Sequence, residues 1–276
     1  MGPLIASGAA PLSARLAGAA PKIIQLHQSM KSLLFCTSYI KNAQAWNTRY
    51  QRWLDYYQQM PIDAVKRIML DDGSPYLPPG DIIRTVPFDA PLSQYGEDNL
   101  LVRFENNLGR QSISAYPGWW RSFLHAITLA KELGAEKIIH IESDAYIVSP
   151  RLVDFINQVE SGWHVMWSER YQFPETAIQV ICKDQFEIFE QFKASRPDLN
   201  FGDLAERLLP FTGVERQFKG DRYSEMRRHR GIFRSKKFDR FKIFQQPFFC
   251  TPIPDDADFI TQALSHQPVV YRGKLR

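Results

Sequence analysis

Segments typical of buried β-strands alternate with helical segments over the first 195 residues of this 276-residue chain, and this alternation constrains the fold most. The predicted strands cover residues 32–39, 65–70, 82–86, 100–104, 136–141, 163–167 and 177–182. The predicted helices cover residues 45–60, 118–134, 149–162 and 183–195. Strands that alternate with helices in this way favour an α/β fold, an α/β/α sandwich with a mainly parallel central sheet.

The two ends of the chain differ in composition from the part between them. Residues 1–29 are rich in Ala, Gly and Pro, which predicts a disordered tail or a start codon placed too early. Residues 30–215 are predicted to form the α/β domain, and 216–276 a basic segment packed on the same domain. Residues 216–242 contain eleven Lys and Arg but three Asp and Glu, so we expect this segment to bind a local anionic partner.

Several classes of protein lack support in the sequence. No run of about 18 apolar residues exists that would span a membrane. The three cysteines are far apart, which favours a reducing compartment, so the expected location is cytoplasmic. The G-x-G-x-x-G, P-loop, G-x-S-x-G and H-E-x-x-H motifs are absent, which weighs against dehydrogenases, kinases and hydrolases.

Polar residues follow three of the predicted strands, at 37–39, 71–72 and 142–144. In a parallel sheet these positions converge on one edge, where ligands of open α/β sheets bind. Asp71 and Asp72, in "DDGSP", are suited to accept hydrogen bonds from a base or a ribose, and the alternative is a tight turn. The pattern does not separate the two aspartates.

The segment "ESD" combines two acids that are two positions apart, Glu142 and Asp144. On a strand, their side chains would share one face and repel each other. A divalent cation with oxygen ligands, Mn²⁺ or Mg²⁺, would offset that repulsion. Glu142 could instead accept hydrogen bonds from a ribose, and a solvated turn is the structural alternative.

The order of these segments resembles glycosyltransferases of the GT-A fold, especially the family 2-like enzymes. The landmarks, in chain order, are "LLFCTSYIKN", "IMLDDGSP", the N-x-G element in "ENNLGRQSIS", the early basic residue in "GWWRSF", and the D-x-D variant in "HIESDAYI". Two features depart from the family pattern: the first acid of the motif is Glu142, and "GWW" replaces small residues near Arg121.

The resemblance implies that residues 30–215 bind a nucleotide-diphosphate sugar and carry the catalytic site. The residues that would contact the nucleotide sugar are Thr37, Tyr39, Asp71, Asp72, Arg121 and Glu142. Asp144, with Glu142 as a second ligand, would hold Mn²⁺ or Mg²⁺. This ion would neutralise the charge that builds on the diphosphate as the bond to the sugar breaks.

An inverting enzyme also needs a general base beside the acceptor hydroxyl. Asp203 and Glu206, in "NFGDLAERLLP", are the candidates, and Glu169 and Glu175 are weaker rivals. Ordinary acids at a helix start are the alternative, and retaining enzymes need no such base. The expected acceptor is a hydroxyl-bearing glycan or a lipid-linked one, as in polysaccharide or lipid-linked glycan synthesis.

Two other functions stay open. A sugar nucleotidyltransferase also places acids at sheet edges, but its glycine-rich loop after the first strand is absent from "CTSYIKN". A binding module for a polyanion or membrane surface would use 216–242, whose aromatic residues alternate with its charges. The same segment would hold an enzyme peripherally at an anionic membrane; nucleic acid is not an expected partner.

Overall fold

A computed structural model describes residues 2, 30–112, 114–223 and 252–276. The strands in these ranges are β1 (Ser32–Ser38), β2 (Lys66–Asp71), β3 (Arg84–Pro87), β4 (Asn99–Arg103), β5 (Lys137–Ile141), β6 (Tyr146–Ile147), β7 (Trp163–Ser168), β8 (Phe173–Cys182), β9 (Gly213–Glu215), β10 (Gly220–Asp221) and β11 (Phe259–Ile260). The α-helices are α1 (Ala43–Ala45), α2 (Gln51–Gln59), α3 (Pro117–Glu132), α4 (Pro150–Gln158), α5 (Phe186–Ala194) and α6 (Ala205–Leu208).

The main sheet has eight strands in the order β3-β4-β2-β1-β5-β8-β7-β9. The strands from β3 to β5 are parallel to their neighbours, whereas β8 is antiparallel to β5 and β7. A second, small sheet has the order β10-β11-β6. The predicted α/β class with a mainly parallel central sheet is confirmed.

Both faces of the main sheet are covered, which explains why its central strands β1 and β5 are buried along their whole length. Along β1, Leu34 and Cys36 pack in one core with α2 and α4, whereas Leu33 and Phe35 pack in another with α3 and α5. The molecule therefore has three layers, helices–sheet–helices, as the sequence predicts.

The first predicted helix, 45–60, is divided in the structure. Asn42 caps its start, since its side chain accepts a hydrogen bond from the Ala45 N–H at 2.9 Å. A π-helical turn, Trp46–Tyr50, then joins α1 to α2. Such turns insert one residue into a helix and are frequent at functional sites. This one contains Arg49.

The described part of the C-terminal segment packs on the α/β domain. β11 pairs with β6, and the guanidinium of Arg52 donates to the carbonyl oxygens of Leu264, at 3.0 Å, and Gln267, at 2.6 Å. Most of the basic stretch 216–242, residues 224–242, lies outside the described residues. In the ranges that are described, no helix is long and apolar enough to cross a membrane.

Candidate functional site

Five parallel strands end at one edge of the main sheet, and their exits carry the polar residues singled out in the sequence. β1 lies between β2 and β5, so the segments 37–39, 71–74 and 142–144 are neighbours. The Oγ1 hydroxyl of Thr37 lies 2.9 Å from Oε2 of Glu142, 105 positions along the chain. This edge is where ligands of such sheets bind, and we treat it as the candidate site.

The two aspartates of the "DDGS" segment have different surroundings. Asp71 ends β2 and is fully buried. Its carboxylate accepts hydrogen bonds from Ser38 Oγ at 3.2 Å and from the Ser74 backbone N–H at 2.8 Å, and burial raises its pKa. Asp71 therefore closes the turn after β2, and its contact with a nucleotide stays a prediction.

Asp72 instead holds the N-x-G element. Its Oδ2 accepts hydrogen bonds from Asn107 Nδ2 at 2.8 Å and from the Gly109 N–H at 2.9 Å, while Oδ1 pairs with Arg121. Gly73 has a φ of +68°, and a Cβ there would lie 2.6 Å from the Asn107 nitrogen, so the turn requires glycine. Nucleotide contacts of Asp72 and Arg121 stay predictions.

Glu142 and Asp144 do not share a strand face, so that expectation is wrong. β5 ends at Ile141, and residues 142–144 form a turn in which the Ala145 N–H donates to the Glu142 carbonyl at 2.8 Å. The chain leaves the sheet here to enter β6. The turn places the two acids in separate surroundings.

Glu142 contacts β1 and α3. Its carboxylate accepts hydrogen bonds from Thr37 Oγ1 and Trp119 Nε1, and Nε2 of His140 lies 3.3 Å from its Oε1. Burial alone would raise the pKa of Glu142, but His140, Trp119 and Thr37 together lower it. Glu142 is therefore held as a carboxylate with its oxygens already engaged.

Asp144 contacts an arginine that the sequence analysis did not single out. Nη2 of Arg49 lies 3.1 Å from Oδ2 of Asp144, and Nε of Arg49 donates to Ser143 Oγ at 2.7 Å. Burial raises the pKa of Asp144, the charge of Glu142 raises it further, and Arg49 opposes both effects. One guanidinium thus contacts two residues of the "ESD" turn.

Both acids expected to bind Mn²⁺ or Mg²⁺ have partners within the protein, and metal binding by this turn stays a prediction. Mg²⁺ can bind through one or two carboxylates when phosphates and water complete its shell, so a single available carboxylate would suffice. Glu142 is engaged by Thr37 and Trp119, and Asp144 by Arg49. Within the described ranges, no group of three or more His, Cys, Asp or Glu could hold a metal ion.

β8 begins at Phe173, four residues earlier than predicted, and it brings Glu175 to the same edge. Because β8 is antiparallel to β5, its first residues lie beside the end of β5: the Glu142 N–H donates to the Ala177 carbonyl at 2.8 Å. Glu175 is buried, and burial raises its pKa to about 7, although Arg222 lies 3.6 Å away.

The two candidate bases differ in their contacts. Oε1 of Glu206, in the four-residue helix α6, accepts a hydrogen bond from Thr176 Oγ1 of β8 at 3.2 Å. Asp203 lies before that helix, and its Oδ1 is 3.3 Å from Nη1 of Arg207. Tyr116 anchors α6, since its hydroxyl accepts a hydrogen bond from the Ala205 N–H at 2.8 Å. Of the two acids, Glu206 is the one in contact with β8.

Tyr39 stands at the exit of β1 with a fixed backbone and an accessible ring. Its N–H donates to the Tyr50 hydroxyl at 3.0 Å, and its carbonyl accepts from that hydroxyl at 2.9 Å. Its side chain belongs to the exposed large hydrophobic groups, at 44%. The ring is thus available to a ligand, and its contact with a nucleotide stays a prediction.

This edge also includes Arg49, Trp119 and His140, none of which was predicted from the sequence. A histidine inside the apolar strand "KIIHI" was a usable signal, and the unusual "GWW" marked Trp119. Arg49 had no signal of its own, because its place depends on how the first helix packs on the sheet. His266, exposed in the C-terminal segment, is not among the residues that contact Glu142 or Asp144.

A cleft lies at the opposite edge of the sheet, where β3 and β4 begin. Residues 80–84 and 97–99 line it. None of the predicted site residues is among them, so the polar edge at the carboxyl ends of the strands remains the candidate site.

No protein-family model matches the chain, and no curated protein matches it in sequence. A glycosyltransferase involved in the glycosylation of the major capsid of PBCV-1 is similar in structure, with 10% identity and a TM-score of 0.42 over 84% of this chain and 92% of that one. The bifunctional glycosyltransferase WbbM has 10% identity and a TM-score of 0.48 over 89% of this chain. This chain spans about half of WbbM, 47%.

A third similar structure is a Bacillus anthracis protein assigned as a glucose-1-phosphate thymidylyltransferase, in complex with sucrose. It has 12% identity and a TM-score of 0.38 over 65% of this chain and 81% of that one. Because these TM-scores are below 0.5, what the chain does has to be inferred from its own residues.

Proposed function

We propose that this chain is a glycosyltransferase that moves a sugar from a nucleotide-diphosphate donor to a hydroxyl acceptor. The observation that carries the proposal is the hydrogen-bonded edge where β1, β2 and β5 end, with Thr37 contacting Glu142 and Asp72 pairing with Arg121. Carboxylates, hydroxyls and an exposed aromatic ring suit a base and ribose, and guanidinium groups suit phosphate.

The acceptor would bind between α3 and the start of β8. Glu206 supports this placement, because it reaches Thr176 of β8 at the same edge. A carboxylate there would take the proton from the attacking hydroxyl as the bond to the diphosphate breaks. A glycan or lipid-linked acceptor, a role in polysaccharide synthesis and peripheral membrane binding remain parts of the proposal.

The proposal is tested by thermal unfolding with a panel of nucleotide sugars, namely UDP-, GDP- and dTDP-sugars, each with EDTA and with Mn²⁺. We expect one nucleotide class to raise the melting temperature and to be consumed when an acceptor is added. Asp72→Asn should reduce the shift, whereas Asp98→Asn, at the opposite edge, should keep it.

The same assay separates the alternatives. A sugar nucleotidyltransferase would release pyrophosphate from a nucleoside triphosphate and a sugar 1-phosphate. That activity, or the lack of a shift with every nucleotide sugar, would count against the proposal.

A further inference from the structure

We infer that Arg49 supplies the positive charge that meets the donor's diphosphate, at the position where a divalent metal was expected. The inference rests on the proposed function, because it assumes that the ligand carries a diphosphate. It goes beyond that function by naming the group that would bind the phosphates.

The guanidinium of Arg49 is held on one side and open on the other. Nε donates to Ser143 Oγ at 2.7 Å, and Nη2 lies 3.1 Å from Asp144 Oδ2. Nη1 has no hydrogen-bond partner among the residues that the structure describes, and the side chain is 43% exposed. The group is therefore oriented by the protein while part of it faces a ligand.

Its position in the fold suits a diphosphate. The π-helical turn that carries Arg49 follows β1, and the residues that Arg49 contacts follow β5, the neighbouring strand. Arg49 thus stands at the junction of two strand exits, and it precedes Tyr50, whose hydroxyl is hydrogen-bonded to the Tyr39 backbone. A guanidinium offers paired N–H donors that match phosphate oxygens and keeps its charge at every physiological pH.

The contacts of Asp144 favour an orienting role for this carboxylate over metal binding. A divalent ion on Asp144 would lie next to the guanidinium, and the two cations would compete for one carboxylate. With Arg49 in place, the "ESD" turn already has its counter-charge. The acidic residue of the motif would then position the arginine, and the arginine would bind the phosphates.

The closing experiment measures binding of UDP, GDP and dTDP by calorimetry, in EDTA and in Mn²⁺. It uses the wild-type chain, Arg49→Met, Arg49→Lys and Asp144→Asn. Arg84→Met is the matched control, because it loses the same charge at the opposite edge of the sheet, where Arg84 begins β3. Melting temperatures establish that each variant is folded, and Mn²⁺ alone is titrated into the wild type.

We expect the wild type to bind one diphosphate in EDTA with the affinity that it has in Mn²⁺. Arg49→Met should weaken binding at least tenfold. Arg49→Lys should weaken it less, because lysine keeps the positive charge but lacks the paired N–H donors of the guanidinium. Asp144→Asn should weaken binding by less than Arg49→Met, because it loses the ion pair that orients Arg49 but keeps the arginine. Arg84→Met should stay within threefold. Mn²⁺ alone should show no saturable binding.

Binding that requires Mn²⁺ and is lost in Asp144→Asn would overturn the role of Arg49 and leave the glycosyltransferase proposal standing. Equal affinities of Arg49→Met and the wild type would overturn it as well. Failure of the folded wild type to bind any nucleoside diphosphate, with or without Mn²⁺, would instead overturn the proposed function and this inference with it.

Discussion

Nε2 of the buried His140 lies 3.3 Å from Oε1 of Glu142, and a chain of buried polar groups sets the orientation of this imidazole. Trp163 Nε1 donates to Gln179 Oε1 at 2.9 Å, so the amide nitrogen of Gln179 faces His140 Nδ1, at 3.2 Å. An amide nitrogen only donates, so Nδ1 accepts and Nε2, which faces Glu142, carries the ring proton.

This relationship predicts the tautomer of His140. ¹⁵N NMR of the imidazole should show the Nε2–H form in the wild type. Gln179→Glu replaces the donating amide by an acceptor, so Nδ1 should gain a proton and the His140 signals should change. The signals of His125, which lies on α3 and contacts the Phe88 carbonyl oxygen, should stay the same. A wild-type ring protonated only on Nδ1 would contradict the assignment.

The raised pKa of Glu175 predicts a pH-dependent effect on stability. Its ordinary pKa of 4.5 is raised to about 7 in the folded chain. The folded state therefore binds the proton more tightly than the unfolded state does. The stability that protonated Glu175 provides is fully present below pH 4.5 and is lost as the pH rises through 7. Each pKa unit corresponds to about 1.4 kcal/mol, which gives a cost of up to about 3 kcal/mol above pH 8.

Glu175→Gln removes that cost. Relative to the wild type, the variant should gain about 2–3 kcal/mol of unfolding free energy between pH 5 and pH 8, as measured by urea unfolding at both values. Glu169→Gln, which changes an exposed carboxylate, should show no such gain. A difference between Glu175→Gln and the wild type that is the same at both pH values would refute the prediction.

The contacts of the two candidate bases predict different kinetics. Glu206→Gln should lower kcat by about 10²-fold or more if Glu206 takes the acceptor's proton. Asp203→Asn should stay near the wild-type rate, because Asp203 pairs with Arg207 and does not contact β8. Turnover of the donor identified in the nucleotide-sugar panel provides the measurement. The reverse order of the two effects would transfer the role to Asp203, and normal rates in both would exclude each of them.

Gly118, near the start of α3, tests the packing around Asp72. Alanine is favoured over glycine in helices by about 1 kcal/mol, but a Cβ at this position would overlap the Asp72 carboxylate. We therefore expect Gly118→Ala to lower the unfolding free energy by about 1–3 kcal/mol. In Gly80→Ala no heavy atom beyond the adjacent residues lies within 4 Å of the new Cβ, so this control should change stability little. Equal stability of Gly118→Ala and the wild type would contradict this prediction, because it would show that the turn at Asp72 can shift at no cost in free energy.

The sequence by itself determined the layers of the fold and the edge that carries the polar residues. Continuous apolar segments predict buried strands, and the prediction of 32–39 agrees with β1, Ser32–Ser38. The strands β9, β10 and β11 were not predicted from the sequence, because segments of two or three residues are too short to show a period. The π-helical turn was not predicted, because its five residues are too few to show a period of their own.

Only the tertiary structure decided what each acidic residue of the site contacts. Local patterns place Glu142 and Asp144 two positions apart, but their partners come from β1, from α3 and from a turn 95 positions away, at Arg49. Burial, which sets the pKa of Glu175, likewise depends on segments distant in sequence. The charge state and neighbours of a side chain follow from packing, and packing is a property of the whole chain.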